Sequence, residues 1–328
     1  MEQERFFLRP LGSLRPEMLC DLLSRGLIFV GMRLIVTMAV LLVLPLALMA
    51  QQPDFTVFDA KGKPASIKDI VKRLEKVDVL FLGESHDDSV GHRVQYSIFK
   101  QAIKKHGARR TVALSLEMFE RDVQATLDEY LTGLISEKQF LDAARPWGNY
   151  KTDYRPLVEL AREKSLAVIA ANAPRRYVNM VSRLGKDSLH KLPLPSRQWI
   201  APLPYGEPSE AYVAKFNALM ESMSDNAAPS SHNPMIHSQA LWDATMAYSI
   251  SEFLWQKNNA LVVHLNGSFH TENRLGTPEH LVRYKAGTTF AVVTMKYEED
   301  FRRFDPAEHT DLGDFVILTN AAAPRSKR

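Results

Sequence analysis

Residues 77–88, VDVLFLGESHDD, are the most informative segment of the chain about its fold. It begins with a run of valine, leucine and phenylalanine, which predicts a strand buried on both faces, as in a parallel sheet. The chain then turns at Gly83, and Glu84 and His86 follow directly. Open α/β sheets bind their ligands beyond the carboxyl ends of the strands. The stretch therefore predicts a parallel sheet whose edge carries a carboxylate and an imidazole.

The same pattern of apolar strand, polar corner and amphipathic helix recurs further along the chain. The further strands are TVALSLEMF (111–119), LAVIAANAPRR (166–176) and ALVVHLNGSFH (260–270). This alternation predicts an α/β fold with a mainly parallel sheet flanked by helices. FTVFD (55–59) is predicted as an edge strand, and the stretches 288–299 and 314–320 as strands that complete the sheet. The last residues, 321–328, are predicted to be disordered.

Polar side chains from the four strand ends should meet, because parallel strands share their carboxyl edge. The candidate catalytic residues are Glu84, His86, Glu117, Asn172, Arg175 and His270. Two imidazoles and two carboxylates suit an acid/base pair, or a divalent metal held by His86, Glu117 and His270. Arg175 would bind an anion. The structural alternative is that the glycines only form turns and the acids only cap helices. Capping of this kind does not explain why histidines are present at two of the strand ends.

The composition excludes several classes of function. The chain has 328 residues, 45% hydrophobic and 24% charged, as in a globular protein with a sizeable core. Its formal charge is +3 and no dense block of lysine and arginine occurs, so nucleic acid is not an expected partner. The single cysteine is Cys20, which leaves residues 51–328 without a disulfide, a thiolate ligand or covalent c-type haem attachment.

The N-terminal region predicts export. MRLIVTMAVLLVLPLALMAQQPDF (32–55) has one arginine, a long apolar run and small residues near Ala50, as in a signal peptide. An uncleaved anchor is the alternative, because the run is close to the minimum for a membrane span. Residues before Met32 are atypical of a signal, so translation could start there. We therefore expect a signal or anchor within 1–50, followed by an exported domain, 51–328, in or facing the periplasm.

Several motifs resemble those of one family. They are GESHDD (83–88), SLEMFERD (115–122), NYKTDYRPLVELA (149–161), NAPR (172–175), QALWDATMA (239–247) and GSFH (267–270). In order and spacing the chain resembles the ChaN-like haem-binding proteins of the Tiki/TraB/erythromycin-esterase superfamily. The resemblance implies an α/β domain with a small helical subdomain, and the helix-like segment at about 187–257 fits that subdomain.

The resemblance also implies a function. ChaN-like proteins are exported bacterial proteins that bind haem, often through a tyrosine, with homodimers pairing their haems. The candidate cofactor residues in and near the helical segment are Tyr205, Tyr212, His232 and His237. We therefore expect a haem-binding protein of the cell envelope that serves iron uptake.

Two alternatives stay open at this point. Hydrolases of the superfamily use paired Gly-x-x-His motifs and a glutamate, which correspond here to His86, His270, Glu84 and Glu117. This chain could therefore be a hydrolase, with or without a divalent metal. It could also be a structural envelope protein that retains only the remains of such a site.

Overall fold

Eight strands form one sheet in the structure, a computed structural model that describes residues 53–223 and 234–327. The strand order is β2-β1-β8-β7-β3-β6-β4-β5. The strands are β1 (Phe55–Asp59), β2 (Pro64–Ala65), β3 (Val79–Glu84), β4 (Thr111–Glu120), β5 (Ala167–Asn172), β6 (Ala260–Gly267), β7 (Phe290–Glu298) and β8 (Phe315–Asn320).

All pairings from β8 through β5 are parallel, whereas β1 runs antiparallel to β8 and β2. The α/β fold and mainly parallel sheet predicted from the sequence are confirmed. β1 itself is not the edge strand, because the two-residue strand β2 pairs with its outer side. The four strands with polar ends, β3, β6, β4 and β5, are consecutive in the sheet.

Helices cover both faces of the sheet. They are α1 (Ile67–Arg73), α2 (Ser89–His106), α3 (Gln124–Leu131), α4 (Glu137–Ala144), α5 (Arg155–Glu163), α6 (Arg175–Leu184), α7 (Leu194–Arg197), α8 (Glu210–Met223), α9 (Pro234–Gln256), α10 (Thr277–Tyr284) and α11 (Pro306–His309). Ser66 caps α1 and forms a capping box with Asp69, as expected of a serine at that position. A π-helical turn, Tyr150–Tyr154, leads into α5.

β3 shows why both faces must be covered. Leu80 and Leu82 pack in one core cluster with Ile98 of α2. Val79 and Phe81 pack in another, with Ile250 of α9. Side chains alternate along a strand, so a nearly continuous apolar run needs helices on both sides.

Within 187–257, the described residues 187–223 and 234–257 include helices α7, α8 and α9, and a separate helical subdomain there stays a prediction. α9 begins beside α8, where Ile236 packs with Tyr212 and Phe216. Further along the same helix, Met246 and Ile250 pack against the sheet. The single helix α9 therefore connects the small cluster around α8 to the core on one face of the sheet.

Two predictions from the ends of the chain have different outcomes. The signal or anchor expected within 1–50 lies outside the described residues, and among those that are described no helix is long and apolar enough to cross a membrane. The disorder predicted for 321–328 is wrong for the described residues of that stretch. Arg325 pairs with Asp87 there, and Ser326 with Asp153.

Candidate functional site

The carboxyl ends of β3, β6, β4 and β5 open into one cleft with a volume of about 400 Å³. All six candidate catalytic residues from the sequence lie in its lining. The lining consists of Glu84, His86, Glu117, Glu120, Trp147, Asn172, Ala173, Arg175, Leu219, Gln239, Trp242, Gly267, Ser268, Phe269 and His270. The shared edge of the parallel strands thus brings together residues that are far apart in the chain.

Glu84 holds the first imidazole of the cleft. Its buried carboxylate lies with Oε1 2.9 Å from Nδ1 of His86. The same oxygen accepts a hydrogen bond of 2.6 Å from the hydroxyl of Tyr154, and Oε2 accepts one of 2.6 Å from the Gln95 amide. With Nδ1 directed at the carboxylate, the opposite nitrogen of His86, Nε2, lies beside Gly267 in the lining.

Behind this pair, His92 balances the charge of Glu84. Its Nδ1 lies 3.4 Å from Oε2 of Glu84, and its Nε2 lies 3.5 Å from Oδ2 of Asp153. Burial alone would raise the pKa of Glu84, but the charge of His92 and hydrogen bonds from His86 and His92 lower it to about 2. Burial would lower the pKa of His92, but Glu84 and Asp153 raise it to about 9. Glu84 and His92 therefore form a buried ion pair at neutral pH.

The second imidazole, His270, is oriented in the same way by Asp243. Nδ1 of His270 lies 2.9 Å from Oδ1 of Asp243, which also accepts a 2.7 Å hydrogen bond from Thr277. The hydroxyl of Tyr212 donates to the other oxygen, Oδ2. Burial opposes charge on both partners, but their mutual attraction prevails, so the pKa of Asp243 is lowered and that of His270 is raised.

Glu117 and Gly267 lie between the two imidazoles. Oε2 of Glu117 accepts a 2.7 Å hydrogen bond from the backbone N–H of Gly267, and Oε1 lies 3.9 Å from Nε2 of His270. A Cβ atom at Gly267 would lie 2.8 Å from Nε2 of His86. Position 267 therefore needs glycine, because any side chain would displace the imidazole.

His92, Gln95, Tyr154 and Asp243 were not among the candidate site residues predicted from the sequence. Each comes from a helix or helical turn, not from a strand end, and each is buried. The signal that could have found them was an ionisable residue on an otherwise apolar helix face, such as Asp243 within QALWDATMA.

The predicted metal set does not form a recognisable metal site. Within 53–223 and 234–327, no group of three or more His, Cys, Asp or Glu side chains is arranged to hold a metal ion. His86, Glu117 and His270 all line the cleft, but Glu117 is engaged by the Gly267 N–H. A divalent metal at these residues therefore remains a prediction.

Of the predicted cofactor residues, Tyr205, Tyr212 and His237 are described, and none of the three lines the cleft. The buried hydroxyl of Tyr205 donates to the backbone carbonyl of His237 at 3.1 Å. Tyr212 is also buried and bonded to Asp243. The ring of His237 lies 4.0 Å from Glu207, and His232 is outside the described residues. Ligation by Tyr205 or Tyr212 would thus require a buried hydrogen bond to break.

Aromatic rings form much of the cleft wall. Trp147 meets His86 edge to face, with ring centroids 4.8 Å apart. Trp242 approaches His270 in the same manner at 6.2 Å, and Phe269 adds a third ring. Rings in this arrangement add apolar surface to the cleft and restrict rotation of the two imidazoles.

Residues 70–281 match the family model described as haem-binding uptake, Tiki superfamily, ChaN. The chain belongs to the ChaN family. This confirms the resemblance inferred from the motifs. The match spans every residue that lines the cleft.

This ChaN-family chain is similar to several solved structures, of which the first supports the fold. ChaN of Campylobacter jejuni, described with cofacial heme binding, has a TM-score of 0.59 and 21% identity, over 81% of this chain and 97% of that one. An erythromycin esterase, EreC, in its open conformation has a TM-score of 0.43 and 10% identity, over 81% and 83%. A Bacillus cereus protein has a TM-score of 0.45 and 11% identity, over 80% and 94%. No curated protein matches the chain.

The Glu84–His92 pair predicts how stability depends on pH. The pKa of Glu84 falls from 4.5 to about 2 on folding, so its contribution is complete above 4.5 and is lost as the pH falls towards 2. The pKa of His92 rises from 6.5 to about 9, so its contribution is complete below 6.5 and is lost as the pH rises towards 9. His270 has a raised pKa and adds to the alkaline loss.

We expect urea unfolding to show a midpoint that falls between about pH 6 and about pH 9, and His92→Gln to reduce that fall. The variant should also be less stable near pH 6, because a buried carboxylate loses its counter-charge. His190→Gln, at an exposed histidine, is the matched control and should leave the profile unchanged. If the urea midpoint of His92→Gln falls between pH 6 and pH 9 as far as that of the parent protein, this assignment is contradicted.

Proposed function

We propose that this protein binds haem in the strand-end cleft and that it does so at the bacterial cell envelope, as part of iron uptake. The observation that carries the proposal is the match to a haem-binding uptake family over residues that include the whole cleft lining. The Campylobacter jejuni relative, with its cofacial heme binding, supports the same ligand.

The residues of the cleft fit haem. A histidine that ligates a metal usually donates its other ring N–H to a carboxylate, and Glu84 holds His86 in this way. The imidazole remains partly accessible, since 24% of the His86 side chain is exposed, against 8% for His270. Trp147 and Phe269 supply flat apolar surface for a porphyrin. We therefore propose His86 as the residue that would hold the iron.

Arg175 suits the carboxylate edge of the same ligand. Among the lining residues, all of which the structure describes, it is the sole lysine or arginine. The neighbouring Arg176 is paired with Asp122, whereas no carboxylate of the described ranges pairs with the Arg175 side chain. Arg175 follows β5 and His86 follows β3, three positions apart in the sheet, which corresponds to roughly 14 Å. A guanidinium at that distance would bind a haem propionate.

The other functions considered from the sequence have less support. No comparison favours the hydrolase alternative, although both imidazoles are oriented by carboxylates. A tyrosine ligand remains the expectation from family resemblance, and Tyr205 and Tyr212 are included in the test for that reason. A homodimer also remains a prediction.

Hemin titration tests the site. We expect His86→Ala to weaken hemin binding by at least about tenfold and to shift the visible absorption bands, because the iron loses its ligand. His190→Ala, at an exposed histidine outside the lining, should bind as the parent does. Tyr205→Phe and Tyr212→Phe should retain the parental spectrum. If a phenylalanine variant loses the spectrum and His86→Ala keeps it, haem binds through that tyrosine and our placement fails.

A second titration tests the role of Arg175. We expect Arg175→Ala to weaken binding of hemin by about tenfold, because a charge-assisted hydrogen bond is lost. The same variant should bind hemin dimethyl ester as the parent does, because the ester has no propionate charge. Arg176→Ala is the matched control and should bind both ligands normally. An equal loss of affinity for hemin and its ester would show that Arg175 supports the structure of the cleft and does not bind a propionate.

The envelope location is tested by fusion. We expect a reporter enzyme that is active only outside the cytoplasm to be active when it is fused after residue 55. Mass spectrometry of the mature protein should find an N-terminus near Gln51 if the signal is cleaved, and an intact apolar run if it is an anchor. An inactive fusion would refute export.

A further inference from the structure

The segment Pro324–Ser326, called the strap below, contacts the loop that carries His86. Arg325 forms two bonds with the Asp87 carboxylate, Nε to Oδ2 and Nη2 to Oδ1, each 2.8 Å long. The backbone N–H of Ser326 donates to the carbonyl of Asp87 at 2.9 Å. Ser89 donates from its hydroxyl to the carbonyl of Pro324 at 2.6 Å. The strap therefore contacts the loop at both residue 87 and residue 89.

Tyr297 strengthens the same attachment from β7. Its hydroxyl donates to the Asp87 carbonyl at 2.9 Å, and the Arg325 guanidinium lies 4.2 Å from its ring centroid. A single exposed ion pair contributes little to stability. Here the ion pair is accompanied by two hydrogen bonds to the Asp87 carbonyl, from Ser326 and Tyr297, and by the Tyr297 ring against the guanidinium, so its geometry is restricted by several contacts together.

The strap also reaches the groups that hold the backbone of His86. The hydroxyl of Ser326 donates to Oδ1 of the buried Asp153 at 2.9 Å. The other oxygen of Asp153 accepts a 2.8 Å hydrogen bond from Asn149, whose amide also donates to the His86 carbonyl at 2.9 Å. Two hydrogen bonds thus separate the strap from the Asn149 amide that binds the His86 backbone.

We propose that the strap is a positioning element of the cleft: it holds the loop 85–89 so that the His86 imidazole keeps its direction. Glu84 fixes one ring nitrogen of His86, but a ring has a defined direction only if its backbone is also held. Without the strap, the Asp87 carboxylate and the Ser89 hydroxyl lose these partners, and the loop gains conformational freedom next to the binding residue. The expected effect on hemin binding rests on the proposed function, whereas the effect on the loop is measured by hydrogen exchange without haem.

The experiment uses the full chain and two readouts. The double variant Arg325→Gln/Ser326→Ala removes the ion pair and the hydrogen bond to Asp153. Lys327→Ala is the matched control, since Lys327 is the next residue and is exposed. We expect the double variant to speed hydrogen exchange of the amides in 85–89 and to weaken hemin binding about fivefold. The global unfolding midpoint should remain close to that of the control.

Charge reversal separates positioning from a general effect of mutation. Arg325→Asp should raise exchange in 85–89, and Asp87→Arg in the same chain should restore protection, because the Asp87 carboxylate pairs with the Arg325 guanidinium. Exchange in 85–89 equal to that of Lys327→Ala would overturn the proposal, as would protection lost equally throughout the protein. If the parent protein does not bind hemin, the proposed function fails, and exchange in 85–89 still decides whether the strap positions the loop.

Discussion

The structure depends on a buried negative charge at the end of its central parallel strand. Glu84 ends β3, is almost fully buried, and remains ionised. An unpaired carboxylate in such a place would be strongly destabilising. Its oxygens are instead satisfied by Tyr154, Gln95 and His86, and its charge is balanced by His92. The fold at this edge is therefore constrained to bring α2 and the π-helical turn against the end of β3.

The two imidazoles of the cleft are oriented from opposite faces of the sheet. Glu84 and its partner His92 belong to the side covered by α2, whereas Asp243 reaches His270 from α9 on the other side. Glu84 is held by groups on α2, and Asp243 lies on α9. The geometry of the cleft therefore depends on how the helices on both faces pack against the sheet. Gly267 lies where the two arrangements meet, and its missing side chain leaves room for His86.

Burial also decides which groups can act on a ligand. Tyr212 is oriented towards Asp243, so its hydroxyl supports the second imidazole and is not presented to the cleft. Tyr205 is likewise used internally, by the carbonyl of His237. The two phenols that the sequence offers as candidate haem ligands are therefore structural in this conformation. His86 and Arg175, by contrast, follow strand ends and remain accessible in the cleft.

The amino-acid pattern is enough to predict the parallel sheet and the set of side chains at its edge. Apolar runs such as 79–82 have no polar face to turn towards water, so they predict strands that are buried on both faces. Because parallel strands share their carboxyl edge, Glu84, Glu117 and His270 must then lie at the same edge of the sheet. The groups that orient the imidazoles could be identified only once the helices were seen packed against the sheet. His92 and Asp243 lie on helices, and a local pattern shows that a helix face is buried but not which strand end it meets. The same limit applies to Arg325, whose partner Asp87 is distant in sequence. Long-range packing, not local periodicity, selects these pairs.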